Sequence, residues 1–337
     1  MSIASLNPSA VLRDTGVVTI EDRPTPQPAP GEVLVAVGAV GICGSDVHYY
    51  EHGRIGDFVL RAPMVMGHES AGEVVAVGDG VDPSRAGQLV ALEPGVPCKS
   101  CVQCLAGRYN LCPDMQFFAT PPVDGSMAEY VTLDAAFAHP APQGMTAEQA
   151  AMAEPVSVGV WASKKAGVTV GDRVLITGAG PVGLFAAQVA RAYGASSVTL
   201  TDLSDYRLSV AKELGFAAQR ADAPLGENAF DVFFECSGAA PAFKVGMRAL
   251  DRNGRAVVVG MGSDELPLEV FAIQGKELTI QGVFRYRNCY PAALELIGRG
   301  AVNVAPVLTH RFALSEAEDA LTLARREKNS LKAVVVP

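Results

Sequence analysis

From Arg173 onward the chain repeats one rhythm: a short apolar run, a turn, a stretch of helix length, and then the next apolar run. RVLIT is followed by Pro181 to Tyr193, VTLTD by Asp205 to Leu214, and DVFFE by Pro241 to Leu250, before RAVVVG closes the series. Continuous apolar runs need cover on both faces, and parallel strands need long crossovers, so the pattern predicts a parallel sheet with helices packed against it. The first repeat, RVLITGAGPVG, sets Gly178, Gly180 and Gly183 between a strand and a helix, and Asp202 ends the next strand. A lone G-x-G-x-x-G says little. Strand, glycines, helix, second strand and terminal acid in this order, with the acid about twenty residues on, predict a dinucleotide site. Gly178, Gly180, Pro181, Val182 and Gly183 would admit a pyrophosphate to the helix N-terminus, where unpaired N–H groups and the positive dipole end favour an anion. Asp202 would accept hydrogen bonds from the adenosine ribose and repel a 2′-phosphate, which favours NAD over NADP. Arg207 is either a holder of that extra phosphate or a solvated helix charge.

A chain of 337 residues is too long for one ordinary core, so two domains are expected, with a single large barrel as the alternative. The first third reads as β-rich: Val33, Val35 and Val37 alternate with other residues, Val74 to Val77 and Leu89 to Leu92 follow, and turn residues stand between them. A partly closed barrel fits that pattern. Thr146 with Gln149 forms a capping-box signature, and Pro155 disfavours helical geometry at Glu154. The boundary is therefore expected near Glu154, with that carboxylate at the junction. The tail from Tyr290 holds two helical patterns and a closing strand, LKAVVV, which pattern alone assigns to neither domain.

Four of the seven cysteines, Cys98, Cys101, Cys104 and Cys112, are spaced C-x2-C-x2-C-x7-C in a loop that also carries Pro97, Gly107 and Pro113. Four thiolates on so short a loop fit tetrahedral zinc, and the seven-residue gap suits a zinc lobe rather than an iron–sulfur cluster. With no position left for water, that zinc would be structural. A second group is scattered: Cys43, His68, Glu69 and Glu154. Taken singly, each has a packing explanation. Together they stand out, because Gly41-Ile-Cys-Gly-Ser-Asp and Gly67-His-Glu each set a metal-binding side chain on a glycine-flanked turn. One thiolate, one neutral imidazole and one carboxylate would balance Zn²⁺ and leave a fourth position open for chemistry.

With these residues in view, the chain closely resembles the zinc-dependent medium-chain dehydrogenase superfamily and, within it, the polyol branch of sorbitol and xylitol dehydrogenases. The resemblance runs nearly end to end, through GICGSDVHYYEHGRIGDFV (Gly41 to Val59), PMVMGHESAG (Pro63 to Gly72), the four-cysteine lobe, AEPVSVGVWA (Ala153 to Ala162) and GVFRY (Gly282 to Tyr286). It implies an α/β protein with a GroES-like β-rich catalytic domain, residues 1–154 completed by 287–337. Inserted in it would be a Rossmann domain of doubly wound parallel sheet, residues 155–286. It further implies two zincs per subunit, NAD, a polyol or ketose as substrate, and a homodimer or homotetramer. Cys43 and His68 match catalytic zinc ligands. Glu69 matches a carboxylate that replaces or shares a ligand position, and Glu154 falls where alcohol-specific relatives carry a second cysteine. Which of the two carboxylates binds directly and which through water stays open. An oxygen-richer site tolerates a substrate that chelates through neighbouring hydroxyls, which points to polyols. The same resemblance makes Ser45 the first proton acceptor and His48 the relay to solvent. It also makes Ser45, Ile55, Phe58, Phe117, Thr120, Glu154, Arg285 and Tyr286 pocket residues, Arg285 offering several donors to vicinal hydroxyls.

A net charge of -9 argues against nucleic acid or an anionic membrane as partner. The N-terminal residues show no secretory pattern and no apolar stretch reaches membrane-spanning length, so a cytoplasmic protein with reduced cysteines is expected. Competing readings are a zinc-dependent NAD dehydrogenase of another secondary alcohol or of threonine, and a zinc-lobe binding module. The module reading lacks the basic face it requires, since basic residues do not cluster around Cys98 to Cys112. A non-catalytic NAD-binding protein should have lost Cys43, His68 and Glu69, and all three are present.

Overall fold

The structure, a computed structural model, describes residues 3–262, 265–266 and 268–337. The chain forms two compact units, one running to Glu154 and taking in Leu308–Pro337, the other spanning Pro155–Val307.

The first unit is organised around strand Glu32–Gly41, whose valines are buried along both faces. Alternation there distinguishes two covered faces, so the strand lies in the interior of a seven-stranded sheet. One edge pairs antiparallel with Glu69–Val77. The other is shared, Tyr130–Asp134 taking residues 32–36 and the closing strand Lys332–Val336 taking residues 40 and 41. Register shifts at Leu34/Val35 and Val37/Ala39 bend the strand, as bulges do. Gly72 permits the close pairing, because a Cβ there would stand 2.0 Å from the Ala36 carbonyl oxygen. A three-stranded sheet built on Leu6–Asp14 shares the same core, which gathers Val11, Leu12, Val33, Val35, Met66 and Met127.

The tail resolves what pattern left open. Leu308–Ala313 and Lys332–Val336 are parallel neighbours in the first unit's sheet. Helix Ala317–Arg326 between them buries Ala317, Ala320, Leu321 and Leu323. The expected return at residue 287 is corrected, since residues 287–307 pack in the second unit. Helix Tyr290–Gly298 buries five side chains, and Gln188 Oε1 accepts from Asn303 N at 2.7 Å while Gln188 Nε2 donates to Asn303 O at 3.2 Å. The capping box forms as read, with Thr146 and Gln149 exchanging side-chain and backbone bonds. Its helix stops at Ala151, three residues before Glu154, and a second helix, Ala153–Ala166, includes both Glu154 and Pro155. Proline is tolerated there because first-turn N–H groups have no helical acceptor to lose.

The second unit is a six-stranded sheet in the order Ala217–Arg220, Ser197–Asp202, Arg173–Thr177, Phe230–Glu235, Leu250–Val258, Thr279–Gly282, with every pairing parallel. The two edge strands, AAQR and TIQG, were not visible in the apolar rhythm because they are half-exposed and poor in large apolar residues. The order reverses between Arg173–Thr177 and Phe230–Glu235, and the crevice beyond the carboxyl ends at such a switch point is where doubly wound sheets bind ligands. No helix among the described residues is long and apolar enough to cross a membrane.

Candidate functional site

Strand pairing assembles the first donor cluster. Gly41, at the end of one strand, faces Glu69, at the start of its neighbour, so Cys43 two residues beyond and His68 one residue before are drawn together. One ligand atom from each of Cys43, His68 and Glu69 lies within 4.8 Å of the others. Gly41 is required for this: a Cβ there would stand 2.2 Å from Glu69 Oε2.

Two residues that the sequence reading had not assigned hold the cluster in place. Asp46, buried in the first turn of helix Gly44–His52, accepts from Cys43 N at 2.9 Å and Gly67 N at 3.3 Å, and its Oδ1 lies 3.5 Å from His68 Nδ1. Burial opposes charge on this pair, but the histidine and the two backbone N–H groups keep Asp46 below the usual carboxylate range. Burial likewise opposes charge on His68, and Asp46 with Cys43 raises it well above the ordinary histidine value. With Nδ1 turned to Asp46, the other ring nitrogen is the one left for a metal, the arrangement in which a carboxylate orients a ligating histidine. Lys332, on the closing strand, places Nζ 2.7 Å from both oxygens of Glu69 and 2.8 Å from the Ile42 carbonyl oxygen. Burial opposes the ammonium, yet Glu69, Cys43 and Glu154 hold its pKa above the ordinary lysine value. The signals were present: an Asp three residues after Cys43, where capping boxes form, and a lone charge opening an otherwise apolar strand.

Glu154, the other carboxylate expected at the metal, is buried and lies outside the group of donor atoms within 4.8 Å of one another. It comes from helix Ala153–Ala166 rather than from the paired strands, and its charge acts on Lys332. Phe117 is buried with its ring 5.8 Å from that of His68. Ser45 is half-buried and His48 exposed one turn later on the same helix, where His48 meets His52 edge to face at 4.6 Å. Ile55 and Phe58 face each other across a two-residue hairpin pairing, Phe58 exposed, and Thr120 N donates to Phe117 O at 3.1 Å. Arg285 and Tyr286 belong to the second unit, Arg285 at φ 53° with its guanidinium over Phe284, Tyr286 buried against Tyr290.

The second cluster is local. Sγ–Sγ separations of 3.4 Å (Cys101–Cys104), 3.9 Å (Cys98–Cys104) and 4.0 Å (Cys101–Cys112) bracket the roughly 3.8 Å edge of a tetrahedron with zinc–sulfur bonds of about 2.3 Å. Backbone N–H groups of Ser100 and Cys101 lower Cys98 to about 6, whereas desolvation and neighbouring thiols raise Cys104 to about 12. Tyr109 ties the lobe to the sheet by donating to the buried Glu93 at 2.7 Å, which also meets His139 Nε2 at 2.7 Å.

In the second unit the glycines divide their work. Gly178 has φ 90°, and a Cβ on Gly183 would stand 1.9 Å from the Gly178 carbonyl oxygen, so no larger residue fits the turn. The Cβ direction of Gly180 is open, Arg207 Nη1 being the nearest atom at 4.0 Å, which leaves a cradle a pyrophosphate can enter. Helix Pro181–Ala192 starts from Gly180 with no side-chain cap, leaving Val182 and Gly183 to present its first N–H groups. Asp202 accepts from Ala179 N and Ser204 N, each at 2.8 Å, and Arg207 Nη1 lies 3.7 Å from its Oδ2.

Two zinc-type donor sets in a β-rich unit and a dinucleotide crevice in a parallel sheet define a zinc-dependent dehydrogenase. Residues 29–143 match the alcohol dehydrogenase GroES-like domain and residues 181–299 the zinc-binding dehydrogenase family. The chain is 40% identical to a sorbitol dehydrogenase of Gallus gallus, over 97% of this chain and 95% of that one. It is 40% identical to one of Bacillus subtilis, over 98% and 97%. The crystal structure of L-idonate 5-dehydrogenase from Escherichia coli superimposes with a TM-score of 0.91 at 30% identity, over 98% of each chain. The chain belongs to the zinc-dependent medium-chain dehydrogenase superfamily, in its polyol dehydrogenase branch.

Proposed function

We propose that the protein oxidises a polyol, such as sorbitol or xylitol, to the ketose with transfer of a hydride to NAD. The observation that carries this reading is the Cys43–His68–Glu69 cluster, in which a carboxylate stands beside one thiol and one imidazole. The near full-length identity to sorbitol dehydrogenases supports it. Cys43, His68 and Glu69 would hold the catalytic zinc, and Cys98, Cys101, Cys104 and Cys112 the structural one. The glycine turn, Asp202 and Arg207 would hold NAD. When bound, zinc supplies a Lewis acid that makes a substrate hydroxyl acidic, and NAD supplies the hydride acceptor.

The chain's own residues do the rest. Ser45 takes the hydroxyl proton, and His48, on the same helix face one turn away and exposed, passes it to solvent. Asp46 keeps the His68 ring in one orientation, and Lys332 offsets part of the negative charge that Cys43 and Glu69 bring to a buried site. Glu154 would offer an acceptor for a remaining hydroxyl, with Ile55, Phe58, Phe117 and Thr120 as the first unit's substrate residues; Arg285, with its donors, and Tyr286 are assigned to substrate by the resemblance alone. Asp202 repels a 2′-phosphate, and its pairing with Arg207 leaves that arginine less free to attract one. A homodimer or homotetramer and a cytoplasmic location belong to the same reading and are supported by the resemblance alone.

The test is a substrate panel with NAD. Turnover should be faster on sorbitol or xylitol than on 2-butanol or threonine, with L-idonate included because of the structural neighbour. Faster NAD reduction with 2-butanol or threonine would overturn the polyol assignment.

A further inference from the structure

The terminal acid of Ser197–Asp202 has a counterpart one strand beyond the switch point. Glu235 ends strand Phe230–Glu235, directly beside Thr177, and is 2% exposed. Its Oε1 accepts from Ser237 N at 2.8 Å, Ser237 Oγ at 2.5 Å and Gly238 N at 2.9 Å, and Thr177 Oγ1 donates to it at 3.4 Å. Its Oε2 also receives Gly238 N, at 3.1 Å. The backbone oxygen of the same residue accepts from Val259 N and Gly260 N, both at 2.8 Å. One residue therefore binds the ends of three adjacent strands together.

The turn that Glu235 holds is pressed against the dinucleotide fingerprint. A Cβ on Gly178 would stand 2.9 Å from Cys236 C and from Ser237 N, so the 236–237 peptide is the wall on which the first fingerprint glycine rests. On its other side the turn is as tightly backed: a Cβ on Gly238 would stand 2.2 Å from the Met261 oxygen, and one on Gly262 1.8 Å from the Gly238 oxygen. Backbone packed on backbone without intervening side chains transmits a shift of a few tenths of an ångström directly. A buried carboxylate is costly unless its lone pairs are satisfied, and here all its hydrogen bonds but the 3.4 Å one from Thr177 are spent on one three-residue turn.

We propose that Glu235 is a positioning residue for the dinucleotide: by fixing the 236–238 turn it sets where Gly178, and with it the pyrophosphate cradle, stands. This rests on the NAD reading above. Glu235→Gln keeps the shape but replaces a carboxylate that only accepts with an amide whose NH₂ faces N–H donors. The experiment measures binding of NADH and of ADP-ribose by purified protein well below its melting temperature, together with kcat and KM for NAD.

Glu235→Gln should weaken both ligands by the same factor, about tenfold, and raise KM for NAD alike. At saturating NAD, kcat should stay within about twofold, with zinc content unchanged. Ser237→Ala, which removes one bond to Glu235, should act in the same direction by about threefold. A folded Glu235→Gln protein that binds NADH as wild type does, or more tightly, overturns the proposal, as does a fall in kcat with KM unchanged. Should Glu235→Gln fail to fold, Ser237→Ala decides, and unaltered NADH binding there overturns the proposal. Failure of the wild type to bind NADH would instead sink the NAD reading, so the two failures are distinguishable.

Discussion

The four cysteines of the lobe lie at most fourteen positions apart and meet within a single loop, whereas Cys43, His68 and Glu69 meet only because two strands pair in register. The difference continues in what surrounds them. Cys98, Cys101 and Cys104 are half-exposed and lean on backbone N–H groups nearby, while His68 and Glu69 are buried and depend on Asp46 and on Lys332, the latter 263 residues from Glu69. A local cluster carries its geometry in spacing. A long-range cluster borrows its geometry from the sheet, and so a change anywhere in that sheet's ends should disturb it.

The strongest way to break this contrast is Lys332→Met. Removing one partner of a buried ion pair leaves Glu69 with an uncompensated charge, which costs about 3–5 kcal/mol. Denaturant unfolding should show a loss of that order, with Michaelis kinetics showing a large fall in turnover and the lobe's zinc retained. A variant as stable and active as wild type would mean that Lys332 does not support the cluster. Gly41→Ala comes next. Its Cβ would meet Glu69 Oε2 at 2.2 Å and Met152 Cε at 3.0 Å, so overpacking should cost about 1–3 kcal/mol and displace the carboxylate. Activity should fall while the four cysteines still bind metal, and metal analysis with a rate assay would show both.

The smallest effect sets the scale for an ion pair that is not buried. Arg173 holds the Asp231 carboxyl below its usual range, and the two side chains are 40% and 33% exposed. Because the folded pKa is depressed, the pair's contribution is full above the unfolded value, about 3.9, and is lost as pH falls through the folded value. Asp231→Asn should therefore cost at most about 1 kcal/mol at neutral pH and flatten the acid limb of stability against pH. A loss as large as that of Lys332→Met would undo the distinction between buried and exposed pairs.

How much of this was legible in the sequence follows the same line. The lobe and the glycine fingerprint could be read because their residues are neighbours in the chain and their spacing is their geometry. Cys43 and His68 could be singled out by their glycine-flanked turns, but Glu69 and Glu154 could not be separated, since that depends on which carboxylate the strand pairing brings to the donors. Asp46 and Lys332 were missed because their task is to hold other side chains, and Lys332 reads as an ordinary charge until Lys332–Val336 docks on Glu32–Gly41. The edge strands Ala217–Arg220 and Thr279–Gly282 escaped for want of apolar content, and residues 287–307 were misplaced because Gln188–Asn303 contacts leave no trace in periodicity.

Zinc content per chain, measured on the wild type and on Cys43→Ser alongside polyol oxidation, tests most directly whether the strand-built cluster is the catalytic metal site. The account predicts about two zincs falling to about one, with turnover lost and the lobe's metal kept. Retention of both metals together with undiminished turnover would contradict it.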